Sequence, residues 1–257
     1  MRTILEHGIN RLEDWLDKAP PKGGAKQWKE GYSAKEFAKL WFDDKGQQIV
    51  PNDIQAFCEK VFGRGFEVLF AEPERVTKLD TWRGGQRNHD MAMLCKKSNG
   101  GQFLVCIEAK VAEPLGSTVE GQWKKGSKSK SHIQARIREM TERLLMNSAT
   151  PSSCQLQYQL FTGVVGTIKE AENLNVKDCL FLVLQIVPPN RTIATRVDAT
   201  RASVVSFLKT NGAKPVFGSI DDNREFACRL NCKDSGLEPG FQVMLGYLCT
   251  ASKNTSD

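Results

Sequence analysis

Residues 86–116 read QRNHDMAMLCKKSNGGQFLVCIEAKVAEPLG: two apolar runs separated by a turn, each carrying an acidic residue. The first run, Met91 to Cys95, follows Asp90. The second, Phe103 to Ile107, ends in Glu108, Ala109 and Lys110. Ser98-Asn99-Gly100-Gly101 between them is a hairpin signal, because asparagine and glycine tolerate the positive φ of tight strand connections. Side chains alternate faces along a strand, so Glu108 and Lys110 share one. Asp90 depends on register. A three-residue loop pairs residues whose numbers sum to 198 and sets Asp90 opposite Glu108, whereas a two-residue loop makes the sum 199 and turns Asp90 away unless a bulge restores the phase. A shared metal site at this hairpin therefore requires an odd loop or a bulge.

The rest of the chain sets the context. With 257 residues, 40% hydrophobic and 26% charged, it can bury a large soluble core. It lacks a membrane-length apolar run and its polar start has no signal-peptide character, so a cytoplasmic protein with no membrane contact is expected. Eight cysteines are scattered, several inside apolar runs, and read as reduced core residues; Cys228-x3-Cys232 lacks the tighter spacing of a zinc knuckle. A net charge of +6 is compatible with a polyanionic partner without identifying one.

Periodicity predicts an amphipathic helix over 2–17, then a Pro/Gly/Lys linker. Ser33 with Glu36 resembles a capping box for a helix to about Phe42, and Pro51-Asn52-Asp53 opens another to Phe62. Phe66 to Phe70 reads as a strand, and AEPERVTKLD after it as a surface turn in which Glu72 or Glu74 would be placed to add a carboxylate. Beyond Gly116, Lys124, Lys125, Lys128, Lys130, Arg136, Arg138 and Arg143 form the most basic stretch, a loop feeding a helix suited to a nucleic-acid backbone. A helix over 155–174 with Leu156, Leu160, Val164, Ile168 and Ala171 inward precedes an apolar run to Val187 that reads as a strand buried on both faces. Expected organisation is an N-terminal helix and basic linker (1–32), a core (33–190), and a C-terminal extension packed on it with a disordered tail (191–257).

Helix, strand, strand with Asp90, strand with Glu108-Ala109-Lys110, helices, buried strand: this order and the triplet resemble the restriction-endonuclease-like, or PD-(D/E)XK, nuclease superfamily, whose core is αβββαβ. IEAKVAEPLG and LQYQLFTGVVGTIKEA also resemble stretches of bacterial proteins placed there. The resemblance covers roughly 33–187. His89 stands where the superfamily often has proline, and its extra acidic residue has Glu59, Glu72 and Glu74 as candidates. It implies an α/β (α+β) fold with a central mixed sheet flanked by helices, and DNA cleavage in restriction or defence.

Phosphodiester hydrolysis needs an attacking water and neutralisation of charge in the transition state, which hard oxygen ligands provide by recruiting Mg²⁺, with Mn²⁺ able to substitute. Asp90 and Glu108, with the Ala109 carbonyl, are the expected ligands and Lys110 the charge-stabilising group. Lys124, Lys125, Lys128, Lys130, Arg136, Arg138 and Gln159 are the expected nucleic-acid contacts, and double-stranded DNA the expected substrate. A homodimer cutting both strands is an expectation of the resemblance alone. The competing reading is an inactive nuclease-fold module that binds nucleic acid or a protein. His89-Asp90 without further clustered histidines argues against an HD phosphohydrolase, and the lack of a G-x-S-x-G elbow argues against a serine hydrolase.

Overall fold

The computed structural model describes residues 4–111, 113–128, 131–145, 150–187, 194–222, 224–233 and 239–253. It is a mixed α/β fold with one seven-stranded sheet flanked by helices. In chain order the elements are α1 (Leu12–Lys18), α2 (Ser33–Leu40), α3 (Asn52–Phe62), β1 (Phe66–Lys78), β2 (Gln86–Lys97), β3 (Gln102–Lys110), α4 (Val119–Gly126), α5 (Ile133–Leu144), α6 (Tyr158–Asn173), β4 (Asp178–Val187), α7 (Ala194–Asn211), β5 (Lys214–Phe217), β6 (Glu225–Arg229) and β7 (Gln242–Ala251).

The sheet runs β1-β2-β3-β4-β7-β6-β5. Its first three strands are antiparallel neighbours, β3, β4 and β7 are parallel, and β7, β6 and β5 are antiparallel again. The parallel centre is apolar on both faces because helices cover both: α4 to α7 on one, α1 to α3 on the other. The segments before residue 33 and after residue 190 belong to this same body. Leu5 pairs with Ala71 of β1, and β7 pairs with β4 along its length.

Several local expectations change. The first helix spans only Leu12–Lys18, because His7 and Gly8 take positive φ and turn the chain so that residues 4–6 follow the edge of β1. Helix α2 starts from Tyr32 rather than a Ser33 cap, while Glu36 accepts a bond from Gly31 N–H. The stretch read as a turn after Phe70 continues β1 to Lys78; Pro73 is tolerated because β1 is an edge strand. Lys124 and Lys125 lie in α4 rather than in a loop. Among the described residues no helix is long and apolar enough to cross a membrane. The tail from 254, like Lys130, lies outside the described residues.

Candidate active site

The hairpin register comes first, since the site depends on it. Every paired position of β2 and β3 sums to 198, from Lys96 opposite Gln102 to Met91 opposite Ile107. The loop is Ser98-Asn99-Gly100, closed by Lys97 N–H on Gly101 and relieved by Gly100 at φ 88°. Beyond Met91 the ladder stops, and the next inward donor, Ala109 N–H, goes instead to the Asp90 carboxylate at 2.7 Å.

Alternation breaks at the same place. Ala92 and Leu94 pack on the α6 side, yet Arg87 and His89 also reach α6, at Gly166. The phase slips at Asp90, beside Glu74, which sits at φ 53° in the neighbouring strand. The slip lets Arg87 and Asp90 approach Glu108 together.

These residues line a cavity of about 600 Å³ at the carboxyl end of β3. Parallel strands place ligands at such ends, because their helices leave a crevice there. Glu108 is 3% exposed and held on both oxygens: Arg87 Nη2 meets Oε2, while Lys110 Nζ and Gln159 Nε2 each stand 2.5 Å from Oε1. Gln185 of β4 donates to the Lys110 and Val111 carbonyls and fixes the strand end. Glu113 accepts from Ser33 and Val111 N–H at 3.0 Å each, tying the start of α2 to the cavity wall.

The electrostatics separate the three carboxyls. Burial opposes ionisation of Glu108, but Arg87 and Lys110 outweigh it and hold the group below the usual carboxylate range. Asp90 is pushed up to about 7, first by burial and then by Glu108, against Lys110 and the Ala109 N–H. Glu74 is pushed up to about 8 by burial, Asp90 and Glu108. Burial lowers the Lys110 pKa, but Glu108 and Asp90 more than compensate, so it stays protonated. Asp90 and Glu74 thus titrate near neutral pH beside a Glu108 carboxylate that carries two cations.

Of the expected site residues, Asp90, Glu108, Lys110 and Gln159 come together, and Glu74 joins them. Glu72 does not; it faces Arg75 and His7. Ala109 is placed on Asp90 through its N–H. The basic stretch disperses. Arg136 is buried against Asp80, Lys124 pairs with Glu120 at 2.7 Å, Arg138 lies over the Trp123 ring, and Lys125 and Lys128 are exposed. Among the described residues of this stretch, Arg136 alone borders the cavity. Arg87 is the residue that sequence reasoning missed; its sole signal is its place three residues before Asp90.

A family model matches residues 8–250, and its description is Domain of unknown function (DUF6946). The chain belongs to this family. No curated protein and no solved structure matches it. The match to DUF6946 spans the sheet up to the last residue of β7 and every cavity residue named above, so the site belongs to the family's domain rather than to an appendage.

The donor set bears on a metal. Among the described residues no three His, Cys, Asp or Glu side chains are placed to hold one ion together. Mg²⁺ does not require three, since it commonly keeps several waters and takes one or two carboxylates. Asp90 and Glu108 share the cavity, and the raised Asp90 and Glu74 carboxyls are the groups whose repulsion a divalent ion would relieve. The residues fit hard-cation binding, with Arg87 now on the Glu108 oxygen that such an ion would contest.

Proposed function

We propose that this chain hydrolyses phosphodiester bonds of DNA in a Mg²⁺-dependent reaction, as a restriction-endonuclease-like enzyme of the cytoplasm. The carrying observation is the convergence of Asp90, Glu108 and Lys110 in one cavity, with Gln159 of the following helix bonded to the glutamate. The order α3-β1-β2-β3, three helices α4 to α6, then β4, with β3 and β4 parallel, supports the reading, as do eight free, mostly buried cysteines for a reducing compartment. A role in defence against foreign DNA rests on superfamily analogy.

Asp90 and Glu108 would hold the ion, which supplies Lewis-acid stabilisation of charge on the phosphate. Glu108 and Asp90 raise the Lys110 pKa, so Lys110 serves as a cation whose ammonium faces the negative charge that builds on the phosphorus-bound oxygens. Gln159 and Arg87 fix the Glu108 carboxylate from two sides and preorganise it. Glu74 carries a proton near neutral pH and is available to pass one at the cavity wall.

The Arg87 contact gives a second reading some support, that of a module whose glutamate is permanently neutralised. Plasmid, linear and single-stranded DNA incubated with Mg²⁺, Mn²⁺ or EDTA, beside Asp90→Ala and Lys110→Ala, separates the two. Metal-dependent cleavage lost in both variants is expected. Cleavage that survives both substitutions refutes the site, and binding without cleavage selects the module.

A further inference from the structure

The reacting groups do not lie on an open face. Glu108, Lys110 and Arg87 are each nine-tenths or more buried, and the N-terminal segment from Pro21 to Ala34 walls the cavity opposite α5 and α6. Pockets of about 300 to 1,000 Å³ enclose small molecules, which for a polynucleotide means one or two nucleotides. A stacked duplex keeps its phosphates on a broad convex backbone and its bases paired inside, so it does not present a single nucleotide to such a recess.

A second cavity, about 590 Å³, adjoins the first; Leu79 and Arg136 border both. Its wall includes Trp82, whose ring stacks on His132 with centroids 5.4 Å apart and planes 15° apart. It also includes Arg143, nine-tenths buried, whose Nη2 pairs with Glu172 at 3.3 Å while its Nε has no hydrogen-bond partner among the described residues, together with Lys169 and the exposed Lys233 beside Glu139 and Glu142. At the other end, Tyr32 is 43% exposed and lines the first cavity near Lys22. Aromatic rings alternating with cations along a groove are the chemistry of single-strand recognition, because every unpaired base offers a ring face and every phosphate a charge.

We propose that the substrate of this site is a single strand of nucleic acid, threaded from Tyr32 across the Asp90, Glu108 and Lys110 floor, over Arg136, to a base platform at Trp82 and a phosphate contact at Arg143. This deepens the nuclease reading and rests on it. It also moves the expected partner from duplex DNA to unpaired strands, a flap or an extruded end.

The test is fluorescence anisotropy in EDTA, which prevents turnover, using a labelled oligonucleotide alone and annealed to its complement. The single strand is expected to bind at least about tenfold more tightly than the duplex, and Trp82→Ala to weaken it by about tenfold. Tyr32→Ala, at a position 43% exposed, provides a second variant should Trp82→Ala misfold, and Arg143→Gln should reduce the salt dependence of binding. Equal or tighter duplex binding, or single-strand affinity unchanged in folded Trp82→Ala and Tyr32→Ala, overturns the proposal. Metal-dependent cleavage confined to duplex overturns it while leaving the nuclease reading intact. Single-strand binding without cleavage under any metal refutes the nuclease reading and leaves the groove.

Discussion

Two buried glutamates face the same side of the sheet, and only one of them marks a site. Glu170 on α6 takes Arg75 Nε and Nη2 on one oxygen, at 3.1 and 2.7 Å, and the Thr77 hydroxyl on the other at 2.7 Å. Its arginine also serves Glu72, so one guanidinium is shared by two carboxylates, and Glu170 lines neither cavity. Glu108 instead has two cations on one carboxylate, a cavity in front of it, and two further carboxyls nearby whose pKa values are forced up. Burial and an ion pair are common to both. What distinguishes Glu108 is space for a ligand beside carboxyls of raised pKa, the signature of a group arranged for chemistry.

The sharpest way to break this contrast is at Asp90. Asp90→Asn keeps an acceptor for Ala109 N–H but removes the charge that would hold a cation. Cleavage should fall by about 10² to 10³ or more, while thermal stability at pH 8 is kept or raised. Lost stability with retained cleavage would make Asp90 a structural acid like Glu170.

The converse change is Glu170→Ala, which strands Arg75 and Thr77 without their common acceptor. It should cost about 3 to 5 kcal/mol in denaturant unfolding and leave the turnover of the remaining folded protein unchanged. A loss under about 1 kcal/mol would show that this pair is replaceable by solvent.

A third test lies between the two glutamates. Gln159, Gly163, Gly166 and Glu170 form one stripe of α6, spanning roughly 16 Å at 1.5 Å per residue. A methyl at Gly166 would stand 2.8 Å from His89 Nε2 and 2.9 Å from Arg87 Cγ, and one at Gly163 would stand 2.1 Å from Phe181 Cζ. Both alanine variants should lose about 1 to 3 kcal/mol by overpacking. Gly166→Ala should also lower kcat, since Arg87 must move; Gly163→Ala should not. Equal kcat in both would mean that the position of Arg87 is immaterial.

That stripe also shows what the sequence could and could not disclose. The hairpin was legible, because Asn-Gly chemistry and alternation act over a few residues, and its three-residue loop is the one that sets Asp90 opposite Glu108. The buried strand β4 was legible as an unbroken apolar run. The contact face of α6 was not. Periodicity selects Leu160, Val164 and Ile168, which are buried, but it is blind to glycines that admit a neighbour and to polar ends that meet ions across the sheet. The break of phase at Asp90, the long edge strand through Pro73 and the strands β5 and β6 likewise arise from pairing between distant segments, which no local window contains, whereas the apolar run from Phe241 to Cys249 does read as the final strand that β7 forms. The basic stretch misled for the opposite reason: charge is visible in sequence, whereas its neutralisation by Asp80 or Glu120 is tertiary or depends on the helix that forms.

The smallest effect tests the raised pKa of Glu74, set first by burial and then by Asp90 and Glu108. Glu74 ionises at about 4.5 in the unfolded chain and at about 8 in the folded protein. Between those values the folded state binds the extra proton, so its stability declines as pH rises through this window, the reverse of a salt-bridged carboxylate. Glu74→Gln removes that penalty. After discounting for the open cavity, a gain of about 1 to 2 kcal/mol at pH 8 is expected, a few degrees of melting temperature, with no gain near pH 4. Scanning fluorimetry across pH reads it directly. An equal gain at both extremes would mean that Glu74 is strained by its backbone at φ 53° rather than by its neighbours' charge. No gain at pH 8 would mean that neither burial nor the charges of Asp90 and Glu108 act on it, and the cavity would then resemble the packed centre at Glu170 more than a site poised for a cation.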